Sequence, residues 1–154
     1  MNIETYDIRA SDSFLAFAFV SVGIKGEIDK LVIYSLFEHI EWENVYNISF
    51  GDWDTVTGKV NFNITSANGD MEKVLATVAR TVYEFINKFP YAKVFFVGST
   101  PSRTRLYQRE IIKYYDEIIK DYIILGKINE QYENFERNRN YVNFVIFKRS
   151  KKDL

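Results

Sequence analysis

The sequence predicts an α+β domain: an antiparallel or mixed sheet of about six to eight strands with two main helices packed on one face. Three observations carry that prediction. The first half of the chain is a succession of short apolar runs separated by turn formers, the pattern of strands and hairpins. Residues 70–90 then repeat apolar positions at helical spacing. After one more short apolar run, a second helical pattern opens at Pro101.

The 154 residues suit a single domain over 1–154 that builds its core without staples, with 148–154 expected as a flexible basic tail. Hydrophobic residues at 47% and aromatics at 17% exclude a disordered chain. The absence of cysteine excludes disulfides, thiolate metal sites and a cysteine nucleophile together. The opening MNIETYDIRASD has neither the basic start nor the apolar run of a signal peptide. No apolar stretch approaches the roughly 18 residues that span a bilayer, so a cytoplasmic protein with no membrane association is expected. The net charge of −1 conceals an asymmetry: residues 1–89 hold 7 Lys/Arg against 13 Asp/Glu, and residues 90–154 hold 13 against 8. The basic half can meet phosphates.

Thr5–Ala10 reads as a short edge strand. Phe14–Val22 is apolar nearly throughout, as expected of a strand buried on both faces. Gly23 and Gly26 bracket a hairpin turn, and Glu27–Phe37 runs on as the next strand. The following LFEHIEWEN fits either the strand's end or a turn of helix. Tyr46–Phe50 is another strand, Gly51 to Gly58 a loop dense in turn formers, and Lys59–Thr65 a strand with Val60, Phe62 and Ile64 on one face. Residues 66–70 close the region. Asp70 is expected as N-cap of a helix carrying Glu72 in its first turn. Val74, Leu75, Val78, Val82, Phe85, Ile86 and Phe89 form its apolar stripe, with Lys73, Thr77, Arg80, Glu84 and Asn87 on the wet side.

Val94–Val97 is the strand that leads to Gly98-Ser99-Thr100 and the helix after Pro101. On that helix Tyr107, Ile111, Tyr114, Tyr115, Ile118, Ile119 and Tyr122 share a broad face opposite Arg105, Arg109, Lys113, Asp116 and Lys120. The tyrosines read as core with hydroxyls at its rim. Strands Tyr122–Ile128 and Tyr141–Lys148 complete the fold, and NEQYENFERNRN between them is expected as an exposed loop or short helix.

The strand–turn–helix junction is the candidate site. Helix N-termini gather N–H groups and the positive end of the dipole, and arginine forks match phosphate geometry. The ligand-binding candidates are Ser99, Thr100, Ser102, Arg103, Arg105, Tyr107 and Arg109. Neither a Walker A loop nor a dinucleotide fingerprint is present, and Thr100 or Ser102 serving only as a helix cap is an equal reading. Three arginines at a helix start oppose the dipole, which invites an anion or a carboxylate such as Asp52, Asp54 or Asp70. Asp52 and Asp54 could hold Mg²⁺, although such a pair more often satisfies its own turn. Trp53 between them can stack on a base or pack on a neighbour. His39, the only histidine, is flanked by Glu38 and Glu41, which would raise its pKa. No catalytic signature is present, no catalytic residue is assigned, and neither a metal nor another cofactor is expected.

Asn68-Gly69-Asp70 leading to Lys73-Val74-Leu75-Ala76-Thr77-Val78-Ala79, and Gly98-Ser99-Thr100 with Ser102-Arg103-Thr104-Arg105-Leu106-Tyr107, carry a resemblance. Together with Lys25-Gly26 and the Gly51-Asp52 loop, they resemble a family of short, uncharacterised proteins found mainly in Bacteroidetes and known as a domain of unknown function. The resemblance covers nearly the whole chain and implies a single domain without implying an activity. It also implies acidic residues after Gly58, where this chain reads KVNFNIT. Three functions then compete. The first is a domain binding a phosphorylated ligand, nucleotide or RNA. The second is a protein-interaction module, such as one partner of a two-gene, toxin–antitoxin-like pair. The third is a small metal-independent nuclease in which arginines stabilise phosphorane-like charge and a tyrosine or His39 moves a proton.

Overall fold

The computed structural model describes residues 4–62 and 67–150. The expected strand beyond Phe62 with Ile64, Ser66 of the turn, and the end of the basic tail lie outside the described residues. The chain groups into two compact units, one formed by residues 2–35 and 48–88 and the other mainly by 36–47 and 89–154.

The first unit holds β1 (Arg9–Ala10), β2 (Ala16–Gly23), β3 (Gly26–Leu36) up to residue 35, β5 (Val60–Asn61), helix α1 (Met71–Lys88) and the part of β4 (Val45–Trp53) from residue 48 on, residues 45–47 of β4 belonging to the second unit. β2 and β3 form an antiparallel hairpin in which Phe17 faces Val32, Phe19 faces Lys30 and Ser21 faces Ile28. Gly26 has φ of 85° in its turn, a conformation that costs glycine nothing. Burial along β2 alternates: Phe17, Phe19 and Ser21 are buried, while Ala16, Ala18 and Val20 are half-buried. The expectation of a strand fully buried on both faces is therefore corrected; small side chains occupy its second face.

The helical stripe of α1 packs as expected, with Val74, Leu75, Val78, Val82, Phe85 and Ile86 buried. Tyr34 stacks on Phe85 with ring centroids 4.1 Å apart and meets Phe17 edge-on at 5.8 Å. Its hydroxyl lies 2.8 Å from Thr81 Oγ1, so the one polar atom of this aromatic core is satisfied. Thr77, expected on the wet side, is fully buried because the N-terminal segment crosses it: its Oγ1 accepts the Tyr6 N–H at 2.9 Å.

Asp70 stands where its carbonyl accepts the first helical bond, from Val74 N at 2.9 Å. Its carboxylate, however, turns to the N-terminal segment and β2. Tyr6 Oη donates to it at 2.6 Å and Ser21 Oγ at 2.5 Å, while Asn68 Nδ2 donates to Ser21 Oγ at 3.0 Å. Asn68 Oδ1 accepts from Lys25 N at 2.6 Å, and a side chain at Gly23 would collide with the Asn68 carbonyl at 1.9 Å. The Asn68-Gly69-Asp70 turn is thus a polar knot tying three segments together, where a simple helix cap was expected.

The second unit contains β6 (Lys93–Phe96), α2 (Pro101–Lys113), α3 (Tyr115–Asp121), β7 (Tyr122–Ile128), β8 (Gln131–Asn134) and β9 (Asn143–Lys148). β6 runs parallel to the start of β4 and antiparallel to β9, and β9 pairs in turn with β7. Among the described residues the sheet has nine strands, ordered β1-β2-β3-β4-β6-β9-β7-β8 with β5 on β4, and it is mixed but mostly antiparallel. With three helices, this is the α+β class the sequence predicts. Among the described residues no helix is long and apolar enough to cross a membrane.

Two elements of this unit differ from expectation. The long helix after Pro101 breaks at Tyr114, whose φ of −114° and ψ of 17° end α2 and start α3. NEQYENFERNRN contains β8, joined to β7 by a two-residue turn with Asn129 at φ 52° and Glu130 at φ 65°. Two successive positive φ values make a type I′ hairpin. The remainder of that segment is anchored by Gln108, whose amide donates to Arg139 O and accepts from Tyr141 N at 3.1 Å. Tyr141 lies so close to β7 that a Cβ on Gly126 would sit 2.3 Å from its ring.

Two stability predictions follow from these contacts. Asp70→Ala removes an ionised acceptor from two hydroxyls, one of them buried, and is expected to cost about 3 kcal/mol, well beyond the ~1 kcal/mol of a lost cap. Urea denaturation measures this, and a Tyr6→Phe/Asp70→Ala cycle should show coupling; additive losses would contradict the knot. Glu130→Gly relieves left-handed strain and is expected to stabilise by about 0.5–1 kcal/mol. A lower denaturation midpoint for that variant would contradict the turn assignment.

Candidate functional site

The turn between β6 and α2 is built on a backbone contact. A side chain at Gly98 would place its Cβ 2.4 Å from Thr104 N and 2.6 Å from Arg103 Cβ. Only glycine lets the strand end lie against the helix start so closely. Gly98 N donates to Thr104 Oγ1 at 3.0 Å, and Thr104 Oγ1 lies 3.3 Å from the Thr100 carbonyl. Thr100, with extended φ and ψ, is the N-cap and its Oγ1 accepts from Arg103 N at 3.2 Å. Pro101 follows at the first helical position, where its missing N–H costs nothing. The capping reading of Thr100 therefore holds, and it occupies much of the hydrogen-bonding capacity of the helix start.

α2 distributes the remaining candidates between two flanks. Its buried line is Thr104, Gln108 and Ile111. At 100° per residue, Arg105 and Arg109 stand on one flank of that line, and Arg103 and Tyr107 on the other. Arg103 is half-buried and turns back to the loop, donating from Nη1 to Ser99 Oγ at 3.0 Å. Tyr107 packs edge-on against Phe96 at 6.5 Å; burial raises its pKa, and the Arg103 charge works against that shift. Ser102 is exposed. Arg105 is exposed and donates to the Pro101 carbonyl at 3.3 Å, whereas Arg109 projects one turn further along. No acidic residue lies in the first turn of α2.

Three further arginines of this unit have defined partners. Arg137 pairs with Asp116 at 3.1 Å, Arg139 with Glu133 at 3.4 Å, and Arg149 donates to the Ile119 carbonyl at 3.1 Å near the end of α3. Among the described residues Arg105 and Arg109 meet no carboxylate. The carboxylates of Asp52, Asp54 and Asp70 have partners within their own unit.

Those carboxylates have other work. Asp52 neutralises Lys30, which is 4% exposed on β3 and would otherwise be a buried, unpaired cation. Asp54 accepts from Val56 N at 2.9 Å and Thr57 N at 3.2 Å, and these bonds lower its pKa. The turn-satisfying reading holds for Asp54, whereas Asp52 spends its charge on Lys30. No group of three or more metal-ligating side chains occurs among the described residues. Trp53 is half-buried at the end of β4.

His39 sits in an aromatic cluster that its sequence neighbours do not foretell. It stacks on Trp42 with centroids 5.0 Å apart and meets Phe37, Phe95 and Tyr132 at 5.8, 6.3 and 5.5 Å. Burial lowers its pKa, Glu41 opposes that shift and Lys127 adds to it. The expected rise from flanking carboxylates is thus corrected, because desolvation by the aromatic rings outweighs them. Nε2 lies 3.1 Å from Tyr132 Oη, which donates to Asn143 Oδ1 at 2.7 Å. Tyr132 is itself pushed up to about 12, first by burial and then by Glu41. Tyr132 and Asn143 could not be found from sequence spacing: they lie on β8 and β9, more than 90 residues from His39.

No curated protein and no solved structure matches the chain. A family model matches residues 2–149, almost the entire length, and it describes a family of unknown function. The matched span contains both the polar knot at Asn68–Asp70 and the Gly98–Arg109 turn, and the chain belongs to the DUF6934 family.

Proposed function

We propose that the chain binds a phosphorylated ligand, a nucleotide or single-stranded RNA, along the outer flank of α2. The observation that carries this reading is the pair Arg105 and Arg109: exposed, one helical turn apart, and without a carboxylate among the described residues. Two guanidinium forks at that spacing suit successive phosphates, and Arg105 of the pair lies toward the N-terminal, positive end of α2. Ser102 adds an exposed hydroxyl at the helix start. Arg103, Ser99 and Thr100 act mainly by holding the turn, and Tyr107 by packing against Phe96, so they shape the site more than they touch the ligand.

Fluorescence anisotropy with labelled single-stranded RNA and a nucleotide panel, in low salt, tests the proposal. The Arg105→Ala/Arg109→Ala variant is expected to bind at least about tenfold more weakly, with a shallower salt dependence. Lys59→Ala, an exposed cation on the other unit, serves as control and should bind as the wild type does. Failure of the wild type to bind any member of the panel, or equal binding by the arginine variant, would overturn the reading.

A further inference from the structure

Residues 37–44 join β3 to β4 as an eight-residue loop closed at its base. Phe37 N donates to Val45 O at 2.9 Å, and Lys93 N donates to Asn44 O at 3.0 Å. Within the loop, Glu41 N donates to His39 Nδ1 at 3.1 Å. A backbone N–H can only donate, so Nδ1 must be the ring nitrogen without a proton. The ring proton therefore sits on Nε2 and points to Tyr132 Oη, whose own proton goes to Asn143 Oδ1. Trp42 closes over this chain, stacked on His39 and edge-on to Tyr132 at 4.8 Å.

We infer that this loop is a pH-operated clasp, held by the neutral Nε2–H form of His39 and opened when Nδ1 takes up a proton. Protonated Nδ1 turns from acceptor to donor and faces the Glu41 N–H, so the closed turn and the imidazolium exclude one another. The surroundings do not rescue the charge. Glu41 is the carboxylate that favours the imidazolium; Lys127 on β7 opposes it. Tyr132 on β8 is neutral, while Phe37, Trp42, Phe95 on β6 and Asn143 on β9 carry no charge. Glu38 and Glu43 on the same loop are exposed.

The sign follows from linkage. A histidine that the closed state keeps neutral has a folded pKa below its unfolded one. The clasp is therefore at full strength above the ordinary imidazole value of about 6.5 and weakens progressively as pH falls below it. Opening releases the stacked face of Trp42, two residues along the loop from Ile40, which is 96% exposed. The device thus sets how much apolar surface this edge presents as the medium turns mildly acidic.

NMR of ¹⁵N-labelled protein from about pH 8 to about pH 5, above most of the carboxylate range, tests it. With one histidine in the chain, the imidazole signals are unambiguous. Expected are the Nε2–H tautomer at high pH, a midpoint below about 6.5, and loss of Glu41 amide protection with that same midpoint. His39→Gln should abolish the Glu41 transition while the amides of β7 and β9 remain native. An Nδ1–H tautomer, a Glu41 amide indifferent to His39 titration, or the same transition persisting in His39→Gln would each overturn the clasp.

Discussion

Gly98 presses the end of β6 against the first turn of α2, and much of this region follows from that contact. With a Cβ excluded at 2.4 Å from Thr104 N, the helix can begin only where Thr100 caps it and Thr104 takes the Gly98 N–H. This sets the rotation of α2, so that Thr104, Gln108 and Ile111 point inward. Gln108 then reaches the backbone of residues 139 and 141 and seats Tyr141 over Gly126. Arg105 and Arg109 are left facing outward as a consequence of how the inner line is satisfied. A short motif of glycine, threonine and arginine thus combines architecture and exposed charge in a single turn of chain.

What could be read from the sequence was what local physics decides alone. The α1 stripe, the start of α2 at Pro101 and the onset of β7 at Tyr122 coincide with expectation because periodicity, proline and β-branched runs act within a few residues. β8 escaped notice because its I′ turn is Asn-Glu, and Glu lacks the freedom at positive φ that an Asn-Gly pair would advertise. The break at Tyr114 carries no proline or glycine, so only packing of Ile111 and Ile118 on either side of it marks the place. Thr77 looked solvated because a helical wheel does not show that residues 4–8 return across it.

The polar side chains were harder to place, and for one reason: their partners are distant in sequence. Asp70 waits for Tyr6 and Ser21, Asp52 for Lys30, His39 for Tyr132. Each looked like a cap, a metal ligand or a general base while only its neighbours were considered. In each case desolvation decides, because a polar group taken out of water must find its complement across the sheet. The residues left over after this pairing, Arg105 and Arg109 above all, become the stronger functional candidates.

The division of labour within the turn is the central claim, and thermal denaturation of two variants side by side tests it. Thr104→Val keeps the shape but strands the Gly98 N–H, and should lower Tm by about 4 °C or more. Arg105→Ala/Arg109→Ala removes two exposed guanidiniums and should leave Tm within about 1 °C of wild type. An arginine variant that melts as early as Thr104→Val would mean that the guanidiniums hold the fold together, and the account of α2 as a locked scaffold with spare charge would fail.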